Sequence, residues 1–191
     1  MLSCPERAAV REESLRSWAG TDWGAAMEVY VHHSAAPKVA DRIAEGMLAL
    51  LRRALAGPGE SFLICEDDVL FDPRLRTRLE AWAPWRAGAV RMASLYNPGA
   101  FGAAEAGFPD AIVVDAEQAL GSQARLFSRA CAEHVAREFR PSAWIQDVAV
   151  ARLAAQCGPL LYHVPSLVQH TGRESTWGGP FHEALDFQAA A

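Results

Sequence analysis

The segment Ser61-Phe-Leu-Ile-Cys-Glu-Asp-Asp-Val-Leu-Phe71 constrains the fold more than any other. An apolar run leads straight into three consecutive carboxylates, Glu66, Asp67 and Asp68, and a second apolar step from Val69 to Phe71 follows. A short apolar run bounded in this way reads as a buried strand. The acidic triplet then sits at the C-terminal end of that strand, the edge where open α/β sheets collect their ligands. Adjacent carboxylates repel one another and are costly to bury unpaired. Three environments make them tolerable: a divalent cation, for which hard oxygen ligands are suited, a solvated turn, or arginine partners.

The rest of the chain supplies a frame for such a strand. Val39 to Ala56 carries apolar residues on one helical face (Val39, Ile43, Met47, Leu50, Leu51, Ala54, Leu55) and stops at Gly57-Pro-Gly59. Strand candidates are Glu28 to His32, Phe62 to Cys65, Ala89 to Leu95, Ala111 to Val114, Gln123 to Ser128 and Pro159 to Val164. Helical patterns run over Glu6 to Ala19, Leu75 to Trp82, Arg129 to Phe139 and Ala143 to Gln156. The early alternation of strand, helix and strand implies a right-handed parallel crossover between Glu28–His32 and Phe62–Cys65. The expected architecture is a single α/β domain spanning residues 1–191, with a central, mostly parallel sheet flanked by helices. Trp18 and Trp82 read as core. A glycine-containing stretch from Gly102 to Gly107 reads as a lid over a ligand.

Composition narrows the partners. The net charge is −5 and the pI about 5.7, so the basic footprint expected of a nucleic-acid binder is missing. Four cysteines, at 4, 65, 131 and 157, show no C-x-x-C spacing. Cys65 and Cys131 fall among apolar residues and read as small core hydrophobes. No apolar run reaches the ~18 residues of a transmembrane helix, and charges begin at Glu6, so a cytoplasmic protein is the expectation.

Two further clusters bear chemistry. In Pro165-Ser-Leu-Val-Gln-His-Thr-Gly-Arg-Glu-Ser175 a strand ends at His170, and one imidazole added to carboxylates suits manganese or magnesium. His163 reads instead as a packing or hydrogen-bonding residue. In Trp144-Ile-Gln-Asp-Val148, Asp147 stands near a helix start, where the helix dipole favours a carboxylate whether or not it acts as a general base. Trp144 and Trp177 adjoin these clusters and are candidates for stacking on a sugar or base.

Pro5-Glu-Arg7, Ile64-Cys-Glu-Asp-Asp-Val69, Gly121-Ser-Gln-Ala-Arg-Leu-Phe-Ser128, Gln146-Asp147 and Pro165-Ser-Leu-Val-Gln-His-Thr-Gly172 occur in this order. Together they resemble small GT-A-fold glycosyltransferases, those related to the procollagen galactosyltransferase and lipopolysaccharide glycosyltransferase group, with a further likeness to the N-acetylglucosaminyltransferase IV type. The resemblance implies a GT-A-like (Rossmann-like) fold and a metal-dependent transferase. Such an enzyme moves a sugar, a hexose or similar, from a nucleotide-sugar donor such as a UDP-sugar to an acceptor hydroxyl, with inversion. The acceptor class stays open among glycans, peptides, lipid-linked sugars and small molecules. Glu66-Asp67-Asp68 corresponds to the acidic "DxD" signature, which makes Asp68 the direct ligand of Mn²⁺ or Mg²⁺ and places Glu66 on the ribose or on the metal and its waters. Asp67 would share in holding the donor. His170 corresponds to the histidine that completes the metal shell, and Asp147 to the base under the acceptor hydroxyl. Ser3, Pro5 and Arg7 correspond to the nucleotide-binding strand end, and Ser122 and Gln123 to the donor-sugar side. Two departures stand out. Only Met1-Leu-Ser3 remains as a first strand before the Pro5-Glu-Arg7 element, where the family has a full strand, and the acidic motif begins with glutamate. A scaffold or nucleotide-sugar-binding module that keeps the fold without turnover is the alternative. A two-metal phosphohydrolase would need further carboxylates, and Asp72, Asp110 and Asp115 are poorly spaced for it.

Overall fold

Apolar periodicity becomes structure most directly in the long central helix. The computed structural model describes residues 1–98, 110–140, 145–173 and 181–188, so Trp144, Trp177 and the Gly102–Gly107 segment lie outside the described residues. Helix α1 spans Ala8–Ala19, behind a single 3-10 turn at Pro5–Arg7, and α2 spans Val39–Ala56, the bounds its pattern predicts. Helix α2 buries Ala44, Gly46, Met47, Leu50 and Leu51. At Gly46 a Cβ would come within 3.1 Å of Leu2 and 3.2 Å of the His32 ring. The bare backbone there lets strands β1 (Leu2–Ser3) and β2 (Tyr30–Val31) lie close against the helix.

Five strands form the main sheet: β3 (Ser61–Cys65), β5 (Met92–Ser94), β6 (Ala111–Val114), β7 (Ala124–Ser128) and β8 (Leu160–His163), in the order β3-β7-β5-β8-β6. Strands β3, β5 and β8 point one way while β7 and β6 run against them, so β5–β8 is the one parallel pair. The sheet is therefore mixed, and the expectation of a mostly parallel one holds only for strand directions. Its neighbours within the sheet are chiefly antiparallel. The predicted crossover is likewise placed differently: β2 pairs in parallel with β1 through α1, in a two-stranded ribbon of its own, and β3 pairs with β7.

Both faces of the five-stranded sheet are covered apart from edge positions such as Val113 of β6, which is why its strands read as apolar runs. Alternate residues feed separate cores. Ile64, Met92, Phe127, Leu160 and Tyr162 pack with α2, α5 (Arg129–Glu138) and α6 (Gln146–Ala155). Cys65, Ala93, Leu126 and Leu161 face the other way, toward Trp18 of α1, Leu75 and Leu79 of α3 (Leu75–Ala81), and Trp82, which leads into the short α4 (Ala83–Arg86). Trp18 and Trp82 are buried as expected, as are Cys65 and Cys131. Burial pushes the Cys65 thiol up to about 12, so it behaves as an inert core group. A second ribbon, β4 (Val69–Phe71) with β9 (Val168–His170), lies on this second face. Among the described residues no helix is long and apolar enough to cross a membrane.

Candidate functional site

The acidic triplet is built by the junction between the main sheet and the β4–β9 ribbon. Glu66 continues the β3 edge, its N–H donating to the Gln123 carbonyl at 3.0 Å. The chain then turns through Asp67 and Asp68 into β4, and Thr171 N–H closes the turn on the Asp68 carbonyl at 2.8 Å. Helix α1 supplies what a neighbouring strand would. Buried Ser14 donates from Oγ to the Asp67 carbonyl at 2.8 Å and accepts from Val69 N–H at 2.9 Å, while Ser17 Oγ accepts from Phe71 N–H at 2.8 Å. These bonds satisfy the edge of a three-residue strand that has β9 on one side only.

Into this frame converge Asp68 and His170, far apart in sequence. Val69 pairs with His170 across the ribbon, and His170 Nε2 lies 3.2 Å from Asp68 Oδ2. The other ring nitrogen, Nδ1, lies 3.0 Å from the His182 carbonyl, which can only accept, so Nδ1 carries a proton. His170 is thus flanked by acceptors on both sides. The charged ring donates to both, and a cation between Nε2 and Asp68 would stand in for the second proton. Burial works against its charge, but the bonds to Asp68 and the His182 carbonyl, with the Asp68 charge, hold its proton affinity above the ordinary 6.5. Arg7 completes the pairing. Its Nε donates to Asp67 Oδ1 at 2.7 Å and a terminal nitrogen to Asp68 Oδ2 at 2.6 Å. Asp68, with two cationic partners, sits below the ordinary carboxylate range although burial opposes this. Asp67 is raised by burial, which Ser3 and Arg7 only partly offset.

Glu66 forms the opposite wall. Ser122 Oγ donates to Oε1, and Gln123 Nε2 reaches Oε2 at 3.5 Å. Burial, followed by the charges of Asp68 and Asp147, pushes this carboxyl up to about 8. Asp147 sits in the first turn of α6, as its sequence context predicts. Its Oδ2 accepts Gly121 N–H at 2.8 Å and its Oδ1 lies 3.9 Å from Arg125. Gly121 has φ +87°, and a Cβ there would meet Gln123 Oε1 at 2.7 Å. A turn this tight requires glycine. Arg125 is 1% exposed and binds the carbonyls of Ala119 and Asp147, joining the Gly121 turn to the start of α6.

The donors present suit a hard cation. Asp68 Oδ1, Asp67 Oδ2 and Gln123 Oε1 are buried acceptors without a hydrogen-bond partner. Two ligands at right angles on an ion at about 2.1 Å stand about 3 Å apart, close to the 3.2 Å between Asp68 Oδ2 and His170 Nε2. At Gly172 a Cβ would fall 2.3 Å from Asp68 Oδ2 and 2.7 Å from His170 Nε2, so any larger residue would intrude on this pair. Among the described residues no three His, Cys, Asp or Glu side chains already form a metal-binding group. The pair alone does not complete a coordination shell, which needs further oxygen ligands.

The remaining predicted residues fall into place unevenly. Ser3 is buried beside the loop, its Oγ accepting from Arg11 at 2.6 Å, and Pro5 opens the 3-10 turn that delivers Arg7. His163 is a hydrogen-bonding core residue, with Nδ1 2.7 Å from the Pro165 carbonyl and its ring 5.0 Å from Trp82. Of the carboxylates a second metal would need, Asp72 pairs with Arg78 at 3.1 Å, Asp115 caps the 3-10 turn Ala116–Gln118, and Asp110 keeps its Oδ1 buried without a hydrogen-bond partner. Sequence reading missed Ser14, Arg125, Tyr96 and His182. Arg125 alone carried a usable signal, a lone charge inside an apolar strand, Ala124-Arg-Leu-Phe-Ser128. No family model and no curated protein matches this chain.

Proposed function

We propose that this protein is a divalent-cation-dependent glycosyltransferase that uses a nucleotide-sugar donor, a UDP-sugar in the first instance. One observation carries the reading. Asp68 and His170 are brought together across a dedicated ribbon with Asp68 Oδ1 buried and without a partner. Such an arrangement is costly in the absence of a ligand, and it is the one the acidic motif and the His170 segment lead one to expect.

Asp68 and His170 would hold Mn²⁺ or Mg²⁺, with Glu66 in support. A divalent ion there neutralises charge that develops on a departing diphosphate. The chain's own groups do the rest. Arg7, now bridging Asp67 and Asp68, would add a second positive charge toward the same anion. Ser122 and Gln123 hold Glu66 toward the site and line the sugar side. Asp147 is oriented by Gly121 N–H and Arg125, and its side chain is 20% exposed, open to an incoming hydroxyl. In a single displacement the acceptor oxygen bonds the anomeric carbon, the bond from that carbon to the diphosphate oxygen breaks, and the hydroxyl proton passes to Asp147. One base, with no enzyme nucleophile assigned among the described residues, favours inversion.

A second reading has its own support. Arg7 already neutralises Asp67 and Asp68, as it would in a binding module that performs no chemistry. Calorimetric titration of UDP separates the two. Under the transferase reading binding requires Mn²⁺, is abolished by EDTA and is lost in Asp68→Ala. Asp147→Asn then binds normally and fails to transfer sugar. Binding that ignores both metal and Asp68 would sink the transferase reading and favour the module.

A further inference from the structure

Residues 181–188 return to the acidic loop and are fastened there by a clamp the transferase reading does not use. The Gln169 side chain takes Ala184 at both backbone groups, Nε2 donating to its carbonyl at 3.0 Å and Oε1 accepting its N–H at 2.8 Å. The same Oε1 accepts His170 N–H at 2.9 Å. Ala184 is itself buried. The clamp sets the His182 carbonyl 3.0 Å from His170 Nδ1 and lays the two imidazoles 4.6 Å apart and 18° from parallel. Tyr96 Oη lies 2.7 Å from His182 Nδ1.

We propose that residues 181–188 act as a positioning strap, in which the main-chain carbonyl of His182, held by the Gln169–Ala184 clamp, fixes His170 as the tautomer protonated on Nδ1 and turns its bare Nε2 toward Asp68. Only the identity of what Nε2 then binds rests on the transferase reading; the tautomer rests on geometry. A histidine whose far nitrogen donates to a carbonyl presents its other nitrogen as a fixed, more basic ligand. Free imidazole in a histidine side chain prefers the opposite tautomer, so a strap that merely packed would leave that preference in place. The ring of His182, joined to Tyr96, keeps the stack in register and is secondary to the carbonyl.

The test is a long-range ¹H–¹⁵N correlation of His170 in metal-free, full-length protein, at a pH above its titration. The wild type is expected to carry the proton on Nδ1. Gln169→Ala opens the clamp and is expected to shift His170 toward the Nε2-protonated form, whereas His182→Ala keeps the carbonyl and leaves the tautomer unchanged. If Gln169→Ala does not fold, Gln169→Glu, which keeps the acceptor and loses the donor to Ala184, is expected to give a partial shift. A wild type protonated on Nε2, an unchanged tautomer on opening the clamp, or equal shifts in Gln169→Ala and His182→Ala would each overturn the proposal. A parallel Mn²⁺ titration read by electron paramagnetic resonance is expected to weaken about 10- to 100-fold in Gln169→Ala. Wild-type protein that binds no Mn²⁺ would overturn the metal reading above, while the tautomer measurement would still decide the strap.

Discussion

His163 and His170 end strands β8 and β9, both are buried, and their surroundings push them in opposite directions. At His163 burial prevails: the ring meets Trp82 and a backbone carbonyl, and its proton affinity falls below 6.5. At His170 burial is outweighed by Asp68 and by the His182 carbonyl, and the affinity rises. The same residue type, similarly enclosed, is a neutral packing group in the five-stranded sheet and a charged or cation-facing group in the β4–β9 ribbon. Burial alone does not distinguish a site from a core. A carboxylate in direct hydrogen-bond contact does: Asp68 bonds the His170 ring, whereas Asp110 and Asp186 act on His163 by charge alone and Arg78 opposes them.

The difference extends to how each region is held. The sheet rests on apolar area, so its most sensitive positions are large side chains with no exposure. Phe127, 0% exposed between β3 and β5, is one. Phe127→Ala is expected to cost about 3–5 kcal/mol through lost transfer energy and the cavity left behind. The expected readout is a lower urea midpoint at unchanged slope, with the protein that remains folded still responding to Mn²⁺ and UDP. A cost under about 1 kcal/mol would mean that the sheet interior repacks freely and the contrast with the ribbon is false.

The ribbon rests on particular hydrogen bonds, and Ser14 is the most exposed to attack by mutation. One hydroxyl serves both the Asp67 carbonyl and the Val69 N–H in a buried setting. Ser14→Ala removes both partners at once and is expected to cost about 2–3 kcal/mol, since each unsatisfied buried group carries roughly 1–3 kcal/mol. Hydrogen exchange sharpens the comparison. Val69 and Thr171 amides are expected to exchange faster in the variant while those of β7 keep their protection. Uniform acceleration across the sheet would show that the two regions unfold as one.

This division also governs how much was legible in the sequence. Helix α2 and strands β3, β6 and β8 emerge within a residue of their predicted bounds because each buries a long periodic or continuous apolar run. The mixed sheet did not emerge. β7 is antiparallel to both of its neighbours, and no local pattern reports strand direction. Within the candidate site, the acidic triplet, Asp147 and His170 stood out as chemistry-bearing types at strand and helix ends. Their meeting did not, because three-residue strands carry too little period-two signal to specify a distant pairing partner. Ser14 is indistinguishable in sequence from any small polar residue of a helix, and no local pattern reports that Arg7, expected at the nucleotide-binding strand end, also holds Asp67 and Asp68. Of the three environments the sequence left open for the triplet, arginine pairing is present, and the orphaned Asp68 Oδ1 keeps the cation open beside it.

The smallest effect tests the histidine contrast itself. Because the folded state lowers the proton affinity of His163, the unfolded chain binds the extra proton first as the pH falls through 6.5. Stability that is fully present above that value is therefore lost progressively toward the lower folded-state pKa, with the unfolded state binding more protons throughout the window. His163→Asn retains an N–H donor for the Pro165 carbonyl and has no such titration. It is expected to lose less stability than Ser14→Ala at pH 8 and to flatten the decline between pH 7 and pH 5, as read from urea midpoints across that range. A decline as steep in the variant as in the wild type would assign the pH dependence to other groups. In that case the sheet histidine would be as indifferent to its charge as a surface one, and the two regions would differ in their carboxylates alone.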